Sequence, residues 1–181
     1  MADNGIEVYA PTHAEIHPVL IHRILVMMRP TWKEGAVHDE RFMELLPMAR
    51  RIIEREIISA RDEEEGSTFV AKAYADAPDK RIIVVEGTYP WQGVLAKTAD
   101  ALYIVKPKSV GTNWEVECVR NDVHTFMNRK SLPQEWRGYR DEVLVEKTGV
   151  PDAIFCHNEG FIAVAGSKEG ALRLAQIALN T

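Results

Sequence analysis

Residues 128–142 read NRKSLPQEWRGYRDE, and residues 153–165 read AIFCHNEGFIAVA. The second run contains two apolar stretches of strand length joined by Asn158-Glu159-Gly160, which is typical of a tight hairpin. The first run combines several cationic side chains with Trp136, a Pro and a Gly. Because neither a helix nor a strand needs this mixture, we expect a rigid functional loop followed by a β-hairpin.

Upstream of these runs, apolar residues recur every three or four positions, which predicts helices. Residues 12–15 have capping-box spacing ahead of a first helix that ends before Arg29-Pro30. Asp39 can cap a long second helix whose apolar face continues to Ala60. The acidic run at 62–65 either ends this helix or lies on its exposed side, and residues 68–77 are predicted to be helical again.

From residue 81 the apolar period changes to two, which predicts strands. The predicted strands are 81–86, 102–106, 114–119, 153–157 and 161–165, with helices at 91–97, at 140–147 and after Ser167. This order predicts an α+β fold with a mostly antiparallel sheet of about five strands. We expect helices packed on one face of the sheet and an N-terminal helical segment before it. Since Pro78-Asp79 is a firm break, we divide the chain into residues 1–78 and an α+β domain at 79–181.

The composition is typical of a globular protein: 181 residues, 46% hydrophobic and 27% charged. A net charge of −5 argues against nucleic-acid binding by the whole surface but permits a local basic patch. The two cysteines, Cys118 and Cys156, lie among apolar residues, which favours a reducing compartment. No apolar run reaches the ~20 residues of a membrane span. We therefore expect no membrane contact and an intracellular location, cytoplasmic by default, with the nucleus and mitochondrion left open.

The loop offers partners for a nucleotide. Arginine and lysine bind phosphate oxygens, and aromatic faces stack on bases, so the loop favours single-stranded RNA or a nucleotide as ligand. The alternative is an internal network in which the arginines pair with Glu135, Asp141 and Glu142 and pin the loop to the sheet. The residues alone support the two equally. Of the predicted substrate-binding residues, Arg129, Arg137 and Arg140 would hold phosphates, and Phe126 and Trp136 would stack on a base. The others, in the loop and after it, are Asn128, His157, Ser167 and Lys168.

Two weaker constellations lie outside the loop. Glycines around the last strand would let a phosphate approach the helix start at Ser167 and Lys168, although the spacing alone favours an ordinary helix cap. His13 and His17 lie four residues apart, a spacing that can hold a metal on one helical face. Since no third ligand has suitable spacing, ordinary histidines are the favoured interpretation.

The loop and the hairpin after it also carry a family resemblance. Residues 128–142, Gly149-Val150-Pro151 and residues 154–172 are similar to the C-terminal half of the melanocyte-proliferating-gene exonuclease family. This family is also called metal-dependent protein hydrolases and is related to DHH phosphoesterases. Residues 3–6, Pro30-Thr31-Trp32 and Pro90-Trp91 match further family positions in order, so the resemblance covers essentially the whole chain.

The resemblance implies a metal-dependent phosphodiesterase that acts on RNA and uses manganese or magnesium held mainly by an N-terminal domain. The sequence contains no Asp-His-His, and Asp3 is the one position that the resemblance places in or beside the metal site. One Asp cannot hold a two-metal centre, so we expect no metal for this chain alone. Ala163-Val164 stands where the family commonly has a Gly pair, which weakens the phosphate site before Ser167.

The resemblance therefore predicts a substrate-binding half, produced by truncation, gene splitting or divergence, that is inactive without its N-terminal catalytic half. Residues 1–78 would continue from the missing catalytic domain, and residues 79–181 would resemble the DHH-associated domain. That half and self-association are the candidate protein partners. The first alternative is a non-enzymatic interaction or scaffold module whose loop is structural. The second is a stand-alone hydrolase with a metal at Asp3, His13 and His17.

Overall fold

The structure is a computed structural model that describes residues 21–122 and 125–181, with side chains from residue 24 onward. The chain divides into two units, Met1–Ser59 and Ala60–Thr181. The first unit contains helix α1 (Ile21–Met27) and the start of helix α2 (His38–Asp76), which continues into the second unit. The end of α1 agrees with the prediction, whereas its predicted start at 12–15 lies outside the described residues.

Helix α2 is continuous from His38 to Asp76, so the helix predicted from Asp39 and the further helix predicted at residues 68–77 are one element. Asp39 lies in its first turn, and the helix continues through Pro47 and through the exposed acidic residues 62–65. It continues because its last part is packed: Gly66 and Val70 are buried. A Cβ atom added to Gly66 would lie 2.5 Å from Cδ of Pro90, so the missing side chain permits this close approach. Two interpretations were given for the acidic run at 62–65. The second, in which it lies on the exposed side of a continuing helix, is confirmed.

The second unit contains a five-stranded sheet in the order β1-β2-β3-β5-β4. The strands are β1 (Ile82–Val84), β2 (Tyr103–Pro107), β3 (Trp114–Cys118), β4 (Ala153–Cys156) and β5 (Ile162–Ala165). The remaining helices are α3 (Gln92–Leu95), α4 (Asp141–Thr148) and α5 (Lys168–Asn180). β1 and β2 are parallel and the other three pairings are antiparallel. The predicted α+β class with a mostly antiparallel sheet is therefore confirmed.

Apolar clusters lie on both faces of the sheet. Tyr103 and Val105 belong to one buried cluster, together with residues of α4 and α5. Ile104, which points to the opposite face because side chains alternate along a strand, belongs to a second cluster with Val70 of α2 and Leu95 of α3. The prediction of helices on one face only is therefore wrong. The signal was present in the sequence, because residues 82–85 and 102–105 are continuous apolar runs, and such a run is typical of a strand covered on both faces.

Three charged side chains also lie along β2 and β3. Lys106 forms ion pairs with Glu115 and with Glu117, the latter at 2.9 Å. Lys106 and Glu115 are buried, and burial raises the pKa of Glu117 despite the neighbouring ammonium group. Mutual pairing offsets the cost of removing these charges from water.

No helix among residues 21–122 and 125–181 is long and apolar enough to cross a membrane. The boundary at 78/79 between a helical segment and an α+β domain stays a prediction, as does the continuation of the helical segment from a catalytic domain.

Candidate functional site

Two cations of the predicted loop hold the loop to the rest of the second unit. The Arg129 guanidinium donates hydrogen bonds to the carbonyl oxygens of Ala96, at 2.8 Å, and Ala101, at 3.0 Å. Lys130 Nζ donates to the carbonyl oxygen of Leu179, at 2.9 Å, in the last turn of α5. A cation at a helix C-terminus is favourable because the terminal carbonyls carry partial negative charge. Arg129 and Lys130 therefore have structural partners.

Trp136 lies inside the protein. It ends a single 3-10 turn over Gln134–Trp136 and is only 1% exposed, in the same cluster as Leu132 and Tyr103. Its ring therefore presents no face on which a base could stack. The stacking role predicted for Trp136 is therefore wrong. The buried ring instead packs in the core and holds the loop against it.

The side chain of Arg137, a residue of the loop, lies against Gly160 in the hairpin turn. Its Nε and Nη2 atoms donate to the carbonyl oxygen of Leu132, at 3.2 and 3.0 Å. Gly160 in the turn has a φ angle of +64°, and a Cβ atom there would lie 2.5 Å from Nε of Arg137. In the described part of the chain, Arg129 and Arg137 thus bind carbonyl oxygens rather than the carboxylates of the predicted network. The network alternative was right about a structural role and wrong about its partners.

Beside Arg137 lies an open cavity of about 620 Å³. It is lined by cationic, aromatic and polar residues: Arg120, Phe126, Met127, Asn128, Ser131, Arg137, Glu159 and Phe161. The Arg120 guanidinium lies over the Phe126 ring, with 4.8 Å between Cζ and the ring centroid. Phe126 is 88% exposed, and Asn128 Nδ2 donates to Ser131 Oγ at 3.1 Å. The cavity can therefore offer two guanidinium groups and an exposed ring to one ligand.

Sequence reasoning predicted Phe126, Asn128 and Arg137 as ligand contacts, and the structure places all three at this cavity. It missed Arg120, which follows β3 and lies outside the dense run of residues 128–142. Arg120 reaches the loop because an isolated bridge pairs it with Asn128. A sequence signal was available, because Arg120 is a cation close to the end of a predicted strand. The segment that pairs beside it there is the loop.

A row of successive side-chain contacts starts in the wall of the cavity and consists of Phe161, His157, Phe155 and Arg140. The His157 ring lies 4.4 Å from that of Phe161, which lines the cavity, and 6.2 Å from that of Phe155. The Arg140 guanidinium lies 4.3 Å above the centroid of Phe155. His157 Nδ1 accepts a hydrogen bond from the backbone N–H of Glu159 at 3.1 Å. The predicted contacts His157 and Arg140 thus lie in one row connected to the cavity.

Ser167 and Lys168 have internal partners instead. Ser167 Oγ donates to Asp152 Oδ2, at 2.5 Å, and accepts from the backbone N–H of Gly170, at 3.0 Å. Lys168 Nζ bonds to Glu86 and lies over the Trp114 ring. The Asp152 carboxylate thus already supplies negative charge at the start of α5, where a phosphate was predicted. The ordinary helix cap, which the spacing favoured, is confirmed.

Within residues 24–122 and 125–181, no set of three or more His, Cys, Asp or Glu side chains is placed to hold a metal ion. Asp3, His13 and His17 lie outside the described residues, so a metal site involving them stays a prediction. Burial raises the pKa of the Cys118 thiol to about 12 and that of Cys156 to about 11. Both thiols are therefore protonated near neutral pH and are poor nucleophiles.

The chain resembles proteins from fungi and animals. The profile of the MYG1 exonuclease family, described as an uncharacterised protein family (UPF0160), matches residues 1–179. A MYG1 protein of Schizosaccharomyces pombe is 31% identical over 98% of this chain, and one of Saccharomyces cerevisiae is 33% identical over the same share. A human MYG1 exonuclease is 29% identical over 98% of the chain.

The chain spans 59% of the length of each yeast protein and 51% of the human one. The family match nevertheless covers nearly every residue of this chain, including the loop and the hairpin that form the cavity. The chain therefore belongs to the MYG1 exonuclease family.

Proposed function

We propose that this chain is the substrate-binding half of a metal-dependent RNA exonuclease and that the cavity beside Arg137 holds one nucleotide of single-stranded RNA. The observation that carries the proposal is the meeting of Arg120, Arg137 and exposed Phe126 at one cavity. Guanidinium groups match phosphate oxygens in geometry and charge, and an exposed ring stacks on a base of any sequence. The name of the human relative, an exonuclease, agrees with a ligand of this chemistry.

The division of labour follows from the same residues. In such an enzyme a divalent metal supplies the chemistry, by activating water and stabilising charge on the phosphodiester. The residues of the cavity bind and orient: the arginines hold phosphate, and Asn128 and Glu159 can form hydrogen bonds with a base. The chain spans 51% of the length of the human protein. We place the hydrolytic step in the part of such an enzyme that this chain does not match.

Fluorescence anisotropy with a labelled single-stranded RNA of eight nucleotides tests this proposal. The Arg120 guanidinium lies over the exposed Phe126 ring, and among residues 24–122 and 125–181 it bonds to no carbonyl oxygen, so we expect Arg120→Ala to remove charge at little structural cost. We expect binding to weaken roughly five- to ten-fold and the slope of log affinity against log salt to fall by about one. Arg173→Ala, which removes an exposed arginine from α5, is the matched control.

Equal effects of Arg120→Ala and Arg173→Ala would contradict the proposal, as would affinity that does not respond to salt. Turnover of the RNA by this chain with added manganese would contradict the assignment of a binding role alone. Asp3→Ala would then decide whether a metal near the N-terminus is responsible.

The scaffold alternative has one observation in its favour. Arg129, Lys130 and the buried Trp136 hold the loop in place through contacts inside the second unit. If the loop were structural throughout, Arg120→Ala would leave RNA binding at the level of the Arg173→Ala control.

A further inference from the structure

We propose that the row formed by Phe161, His157, Phe155 and Arg140 is a second nucleotide subsite, so that the ligand is a single strand of at least two nucleotides. This inference rests on the proposed function, because the row begins at Phe161 in the wall of the cavity. It goes further because His157, Phe155 and Arg140 do not line that cavity.

The rings of the row contact one another in sequence and at different inclinations. The centroid of His157 lies 4.4 Å from that of Phe161, with an angle of 48° between the ring planes. The next step, from His157 to Phe155, is 6.2 Å with an angle of 84°. Rings inclined in this way cannot all hold one base between them. They can, however, offer separate faces and edges to bases that follow one another along a strand.

The exposure of the rings permits such contact. Phe161 is 38% exposed, and Phe155 and His157 are half-buried. A half-buried ring is fixed by its inner side and presents its outer side to a ligand. The row is thus partly ordered before a ligand arrives, which lowers the entropy cost of binding.

Hydrogen-bond donors accompany the rings. His157 Nδ1 is occupied as the acceptor of the Glu159 N–H, so the neutral imidazole carries its proton on Nε2 and can donate it. Arg140 is exposed and stacks on Phe155, and a stacked guanidinium keeps its in-plane N–H donors for phosphate oxygens. A phosphate in the cavity and a later phosphate of the same strand near Arg140 would account for cations at both ends of the row.

Ligand length gives the decisive experiment. Isothermal titration of the folded chain with a 5′-phosphorylated RNA trinucleotide and with the corresponding nucleoside 5′-monophosphate compares two subsites with one. We expect the trinucleotide to bind at least about ten-fold more tightly, since each stacked base contributes roughly this factor. Arg140→Ala and Phe155→Leu should each reduce the difference several-fold and leave monophosphate affinity unchanged.

Arg140 is exposed and makes no side-chain bond that caps α4, so its replacement should not prevent folding. Arg173→Ala is again the matched control and should change neither affinity. Equal affinities of the two ligands for the unmodified protein would overturn the second subsite, as would a difference that survives both variants.

A failure of the cavity itself would look different. Arg120→Ala would then leave the affinity for the monophosphate unchanged, and this would overturn the proposed function together with the inference built on it.

Discussion

Arg129 and Arg120 lie nine positions apart and use the same side chain in opposite ways. Arg129 has its guanidinium nitrogens on the carbonyl oxygens of Ala96 and Ala101. Arg120 lies over the exposed ring of Phe126 at the edge of a cavity. The comparison teaches that cation density in a sequence does not by itself locate a binding site. The Arg129 guanidinium is bonded to two carbonyl oxygens in a distant segment of the chain and stabilises the fold. Arg120 and Arg137 both lie at the cavity, and Arg137 combines that position with hydrogen bonds to the carbonyl oxygen of Leu132.

The two aromatic residues assigned to stacking should show the largest difference. Trp136→Ala should lower the free energy of unfolding by about 3–5 kcal/mol, because it opens a cavity in the core. Phe126→Ala should change it by less than about 0.5 kcal/mol, since this ring is at the surface. Urea denaturation followed by circular dichroism measures both. A stable Trp136→Ala protein that no longer binds RNA would reverse the assignment.

The arginine pair itself provides the next test. Arg129→Ala should lower the free energy of unfolding by about 2–3 kcal/mol, since it removes two charge-assisted hydrogen bonds and leaves carbonyl oxygens unpaired. RNA affinity measured at a temperature where the variant is folded should stay within two-fold. Arg120→Ala is the control and should have the opposite profile, with weakened binding and unchanged thermal stability. If Arg129→Ala cost affinity but not stability, the distinction between the two arginines would fail.

The exposed pair of Arg81 and Asp79 should show the smallest effect. Hydrogen bonds from Arg81 lower the pKa of Asp79 to about 2. A depressed carboxyl pKa contributes stability that is complete above its unfolded value and is lost as pH falls through about 2. Because both side chains are largely exposed, we expect Asp79→Asn to cost only about 0.5–1 kcal/mol at pH 7.

That cost should shrink progressively as the pH falls below 4. Urea denaturation of both proteins between pH 7 and pH 3 measures it, and NMR titration of the Asp79 carboxyl checks the pKa directly. A cost that stays constant down to pH 3 would show that the carboxylate is not the source of the stability.

Local patterns were sufficient for most elements of the second unit. The predicted strands at 114–119 and 161–165 agree with β3 and β5 to within one residue at each end. The alternation of apolar and polar residues and the turn residues predicted these strands, because both patterns depend on neighbours along the chain. The continuity of α2 past the acidic run was left open, although residues 68–77 were predicted to be helical. It depends on Val70 and Gly66, whose burial against other elements of the second unit keeps the helix continuous past the acidic run.

The candidate site divides similarly. The sequence by itself identified the loop at 128–142, the hairpin after it and the family resemblance, since these depend on residue types and their order. Only the tertiary structure decided which side chains line the cavity. It buried Trp136, bonded Arg129 to carbonyl oxygens and brought Arg120 from the end of β3 to the cavity. The physical reason is that burial and hydrogen-bond partners are set by residues distant in the chain, which no local pattern records.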